Sequence, residues 1–121
     1  YFGSVLSFEI GPSRIVEENL ALSEIKNIPE NYILHDAYPN PFNPLTAINY
    51  DLPKDSFVRI NIYDLMGRQI KTLVNENMKA GYRSIHWNAT DDLSKPVSAG
   101  LYIYTIQAGE FMNTKKMVLI K

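Results

Sequence analysis

The sequence predicts an all-β fold, an antiparallel β-sandwich of about seven strands, on three observations. Apolar residues alternate with polar ones through most of the second half of the chain, the period of a half-buried strand. Gly, Pro, Asn and Asp break that alternation at intervals of about ten residues, as turns do between short strands. No long stretch carries the apolar spacing of an amphipathic helix.

The elements follow in order. Tyr1 to Ile10 alternates loosely about Val5, Leu6, Phe8 and Ile10 until Gly11-Pro12 stops it. It reads as a strand, either the last of a preceding domain or an addition to the sandwich. From Ile15 to Lys26 the apolar residues fit neither period, and the segment reads as a linker closed by Pro29. Residues 36–44, "DAYPNPFNP", crowd prolines and asparagines ahead of the first regular strand. Each proline fixes its own φ and holds its predecessor extended, while Asn40 and Asn43 bond back to turn backbone, so the motif is a stiff boundary.

In "TAINYDLP" the residues Ile48, Tyr50 and Leu52 share a face and Pro53 ends the strand. "FVRINIYDL" sets Val58, Ile60 and Ile62 against Arg59, Asn61 and Tyr63. A turn at Met66-Gly67 leads into a second strand with Ile70, Leu73 and Val74, and the pair reads as a hairpin. Ala80-Gly81 turns into a strand where Arg83, Ile85 and Trp87 alternate with Ser84 and His86. After a polar loop, Tyr102, Tyr104 and Ile106 alternate with Leu101, Ile103 and Thr105, and Gly109-Glu110 turns into a last strand that sets Met117 and Leu119 against Lys116, Val118 and Ile120. The predicted core is Ile48, Tyr50, Ile60, Ile62, Ile85, Trp87, Tyr102 and Tyr104, centred on the sole tryptophan.

Composition narrows the function classes. With 121 residues, 45% of them hydrophobic and 21% charged, the chain suits one core plus an appendage. Its 12 basic and 13 acidic residues give a net charge of −1, which points to no nucleic-acid partner. Cysteine is absent, so there are neither disulfides nor thiolate metal sites. No apolar run approaches the roughly 20 residues of a transmembrane helix. The absence of an initiator methionine reads as a mature or excised piece, with any export signal encoded upstream.

No catalytic constellation is legible, and no cofactor is expected. His35 lies in the linker and His86 on a strand opposite Trp87, each without a nucleophile or a metal partner in its context. Asp91 and Asp92 are the weak metal candidates, but they lack the spacing of a calcium loop and read first as turn-capping residues. Tyr50, Tyr63, Tyr82, Tyr102 and Tyr104 are the rings of a candidate sugar-stacking platform, but Tyr50, Tyr102 and Tyr104 fall on faces expected to pack, and an exposed coplanar row of Tyr63, Tyr82 or Tyr102 would favour it. Lys115, Lys116 and Lys121 flank an apolar strand, as on a protected sheet edge, with a recognition handle as the second reading.

Four motifs, "YPNPFNPLTAINYDLP", "VRINIYDLMGRQIKTL", "AGYRSIHWNATDDLSKPVSAGLYIYTI" and "TKKMVLIK", together resemble the C-terminal sorting domain of cargo proteins of type IX secretion. They are similar as well to the immunoglobulin-like domain of the flagellar hook-capping protein. The resemblance covers about Ala37 to Lys121. It implies a compact immunoglobulin-like sandwich over residues 36–121, with residues 1–35 a remnant of an upstream cargo domain and its linker. It implies a non-catalytic signal that directs the cargo through the periplasm and an outer-membrane translocon to the cell surface or beyond. A sortase-like peptidase then removes it, and the cargo upstream is free to be a hydrolase or protease. The sorting-motif positions carried over are Pro39, Asn40, Pro41, Phe42, Asn43, Pro44, Gly100, Lys115, Lys116, Met117, Val118 and Lys121. The competing readings are a carbohydrate-binding or adhesion module and a structural spacer of an extracellular protein.

Overall fold

The computed structural model describes residues 28–121, so the readings of Tyr1–Ile10 and Ile15–Lys26 lie outside the described residues. The strands are β1 (Ile33–Leu34), β2 (Thr46–Leu52), β3 (Ser56–Tyr63), β4 (Gln69–Met78), β5 (Gly81–Trp87), β6 (Gly100–Ala108) and β7 (Phe111–Leu119). All pair antiparallel, in a three-stranded sheet β1-β2-β5 and a four-stranded sheet β4-β3-β6-β7. The chain changes sheets between β4 and β5, at Lys79-Ala80, where the Ala80 N–H donates to Asp55 Oδ1 at 2.8 Å.

The period-two alternation sends one face of each sheet into a shared core. Ile48, Tyr50 and Leu52 of β2 meet Val58, Ile60 and Ile62 of β3, Tyr102, Tyr104 and Ile106 of β6, and Met117 and Leu119 of β7, all buried. Trp87 joins the sheets, its ring centroid 5.6 Å from Phe42 and 5.3 Å from Tyr102 in an edge-on contact. Its indole N–H donates to the Thr90 carbonyl at 2.8 Å, so the ring is buried without an orphaned donor. Ile85 is half-buried at the rim of the cluster, since β5 has a neighbour on one side only.

The uneven spacing of Ile70, Leu73 and Val74 has a cause in the pairing. Ile60 faces Val74 and Asn61 faces Thr72, which leaves Leu73 as an extra residue; Ile62 faces Lys71 and Tyr63 faces Gln69, which leaves Ile70 as another. Leu73, which strict alternation from Val74 would expose, and Ile70 both end half-buried against the core.

Candidate functional site

The proline motif does not continue a sheet as an ordinary strand; it lies as a strap along the outer edge of β7. The Phe42 N–H donates to the Val118 carbonyl and the Ile120 N–H donates to the Phe42 carbonyl, both at 2.9 Å, a parallel bridge of Phe42 to Leu119. Two residues earlier the main chain has no donors at Pro39 and Pro41, and the Asn40 side chain takes over. Its Oδ1 accepts the Val118 N–H at 2.9 Å and its Nδ2 donates to the Lys116 carbonyl at 3.4 Å. The amide of Asn40 thereby does what one more residue of a parallel strand would do.

Several bonds fix the strap from its other side. Thr46 Oγ1 donates to the Pro39 carbonyl at 2.8 Å, and Tyr38 exchanges backbone bonds with Ala47 at 2.9 Å. The Phe42 ring fills the core beside Trp87 and is 1% exposed. The Tyr38-Pro39, Asn40-Pro41 and Asn43-Pro44 bonds are cis. Just upstream, the Tyr104 hydroxyl accepts the Ala37 N–H at 2.8 Å and donates to the His35 carbonyl at 2.9 Å, tying β6 to the incoming chain. Burial pushes that phenol up to about 12, so it stays neutral and keeps its proton for His35.

The sequence-predicted site residues therefore meet at one end of the sandwich. Pro39, Asn40, Pro41, Phe42, Asn43 and Pro44 form the strap, and Lys116, Met117 and Val118 form its seat. Gly100 pairs with Leu119 next to the seat. Lys121 folds back so that Nζ donates to the Val97 carbonyl at 2.6 Å. Lys115 Nζ lies 3.0 Å from Asp36 Oδ1, a largely solvated ion pair that contributes little to stability. A shallow cleft of about 550 Å3 runs beside the strap, lined by Asp36, Asn40, Ile103, Thr114, Lys115 and Lys116. Phe42 and Met117 are buried, so they act through the fold, whereas Asn40, Asn43, Lys116 and Lys121 present groups to solvent.

The remaining candidates separate. Tyr63 is half-buried on the outer face of the four-stranded sheet, Tyr82 is exposed on β5, and Tyr102 lies in the core against Trp87, so they form no row. His86 is exposed. His35 Nε2 is 3.0 Å from Asp51 Oδ1 and holds the chain beside β2. Asp91 Oδ1 accepts the N–H groups of Leu93 and Lys95 at 2.9 Å, and Asp92 Oδ1 accepts the Thr72 N–H at 3.1 Å. Both carboxylates thus serve loop backbone, and among the described residues no three acidic or histidine side chains gather to hold a metal. Sequence reasoning did not find the roles of Thr46 and Tyr104 at the strap. A threonine and a tyrosine in strand-forming positions carry no signal of a partner so far away in the chain.

A sandwich of a three- and a four-stranded antiparallel sheet, with the strap at residues 38–42 hydrogen-bonded to the end of β7, defines an immunoglobulin-like module. Residues 36–121 match the family described as the secretion system C-terminal sorting domain, and the chain belongs to that family. Among solved structures it is similar to dimeric latent PorU from Porphyromonas gingivalis, with 21% identity, a TM-score of 0.56, and coverage of 74% of this chain and 9% of that one. It is also similar to PorZ, an essential bacterial surface component of the type IX secretion system of the same organism, with 18% identity, a TM-score of 0.51, and coverage of 73% and 11%. At such identities the likeness is one of fold. The chain spans about a tenth of the length of those two proteins. No curated protein matches it.

Proposed function

We propose that residues 36–121 are the address of a larger exported protein, read by the outer-membrane machinery of type IX secretion and then cut off by a sortase-like peptidase. The observation that carries this reading is the strap. The first and last motifs of the family are hydrogen-bonded to each other through Asn40, Phe42, Val118 and Ile120, so the signal is one folded surface and not a linear tail. Such a surface suits a machine that handles unrelated cargoes, because nothing in it depends on the protein attached upstream. Residues 1–35 are then the end of that cargo and its linker, and the cargo travels through the periplasm to the cell surface or the medium. Recognition falls to the solvated groups beside the strap, Asn40, Asn43, Lys116 and Lys121, while Phe42, Met117 and Gly100 hold the seat in shape.

Removal of residues 115–121 tests the reading. That truncation takes away the seat of the strap, and the expected result is loss of export with the cargo retained in the periplasm. Normal export of the truncated protein would overturn the assignment.

A further inference from the structure

The outward residues of β3 break their own pattern at Asn61. Phe57 is 45% exposed and Arg59 is exposed, yet Asn61, two positions on, is only 9% exposed. Directly paired residues share a face, so Thr72, Asn61, Thr105 and Thr114 make one outward row across the four strands. Arg59 and Gln107 stand in the row on one side of it and Tyr63 in the row on the other. A cleft of about 320 Å3 lies over this part of the sheet, lined by Asn61 with Arg59, Tyr63, Thr105, Gln107 and Thr114.

The fold does not satisfy the Asn61 amide. Its Oδ1 is buried and has no hydrogen-bond partner among the described residues, and its Nδ2 donates only to the Tyr63 hydroxyl at 3.5 Å, longer than an ordinary N–H···O bond. Buried polar atoms without partners are rare because each is destabilising, and an apolar side chain here would carry no such cost. Arg59 is held as loosely. Its Nε donates to Asn75 Oδ1 at 3.4 Å, its guanidinium lies 5.9 Å from the Phe57 ring, and it forms no ion pair among the described residues. The only carboxylate on these four strands, Glu76, pairs with Val58 of the inward row, so their outward face carries none.

We propose that this cleft binds a neutral saccharide, with hydroxyls of one sugar bonded to the Asn61 amide and the Arg59 guanidinium and its ring set against Tyr63, whose phenol swings aside to admit it. The hydrogen-bond inventory selects the ligand class. An orphaned acceptor needs a donor, so a fully ionised anion leaves Asn61 unmatched, and a cation finds no carboxylate on this face. A hydroxyl both donates and accepts, so it meets the amide oxygen, the amide nitrogen and the guanidinium alike. β3 and β6 are interior strands whose backbone groups are taken up by the ladder, so an extended peptide would gain no main-chain bonds here. The cleft is at the small end of the roughly 300–1,000 Å3 range of small-molecule sites.

The test needs no secretion, so it stands apart from the sorting function. The whole chain is titrated with neutral gluco-, manno- and galacto-oligosaccharides, chito-oligosaccharides, and an oligogalacturonate as the anionic probe. Saturable binding of at least one neutral series with a Kd below about 1 mM is expected, with the Asn61 side-chain amide shifting in the nuclear magnetic resonance spectrum. Asn61→Leu lowers that affinity by roughly tenfold or more and melts no lower than the parent, since it removes an unpaired group; Arg59→Gln weakens binding at unchanged stability. Tyr82→Ala, on the other sheet, binds as the parent does. Binding of no neutral series, binding of the oligogalacturonate alone, or undiminished binding by Asn61→Leu overturns the proposal. So does a lower melting temperature for Asn61→Leu, which assigns the amide to the fold.

Discussion

Asn40 holds the backbone of Val118 across 78 positions of sequence, its carboxamide oxygen 2.9 Å from the Val118 nitrogen. β7 is an edge strand, and its outward N–H and C=O groups from Lys116 to Ile120 are the ones that the strap occupies. Edges left open invite pairing with other chains, so the strap both closes the domain and protects it.

Asn40→Ala removes the bonds to Val118 and Lys116 and is expected to cost about 1 kcal/mol, as a modest net loss of hydrogen bonding at a solvated edge. Amide exchange at Val118 speeds up, while that at Ile106, buried in β6, follows global unfolding alone. Equal rates at Val118 in the two proteins would contradict the seat as described.

Phe42 and Trp87 pack in contact, so each truncation to alanine is expected to cost about 3–5 kcal/mol and the double variant less than the sum. Chemical denaturation of the set of variants measures it. Strict additivity would mean that the two rings are not energetically coupled.

The Tyr104 phenol predicts a pH dependence. Its pKa is raised from 10.0 to about 12 because burial disfavours the phenolate, so the stabilisation is fully present below pH 10 and is lost as the pH rises through about 12. Tyr104→Phe removes this alkaline step. It also leaves the Ala37 N–H without its partner and is expected to cost about 1–3 kcal/mol at neutral pH. Thermal melts of both proteins across the alkaline range decide the point.

The turns at Asp64–Arg68 and Asp91–Lys95 share one pattern, in which the first aspartate accepts the N–H groups of the third and fifth residues and the fourth residue has a positive φ, and they give opposite expectations at that fourth position. Gly67→Ala forces a side chain into a left-handed conformation and is expected to destabilise by about 1 kcal/mol, although no atom lies within 4 Å of the new Cβ. Ser94→Gly relieves the same conformation and is expected to stabilise by about 0.5 kcal/mol. A loss of stability from Ser94→Gly would show that the two turns are not alike in energy.

How much of this was legible in the sequence depended on the range of the interaction. The faces of β2, β3 and β6 are readable because alternation is local, and Ile48, Ile60 and Tyr104 stand where it puts them. β1, with only Ile33 and Leu34, is too short to show any period. The bulges that spare Ile70 and Leu73 appeared only as a broken pattern. The proline motif is legible as a run that cannot pair like an ordinary strand, but Asn40 bonds to Lys116 and Val118 and not back to its own turn, and nothing near Asn40 marks them as its partners. Likewise Gly67 announced one turn, while Ser94 gave no sign that the second had the same shape.

The reading of this domain as a self-sufficient address is tested by fusing residues 28–121 to an inert periplasmic reporter in a cell with type IX secretion and measuring the folded reporter outside. The expected result is release or surface display of the fusion, abolished when the seat residues 115–121 are removed. Folded fusion retained in the periplasm would contradict the account.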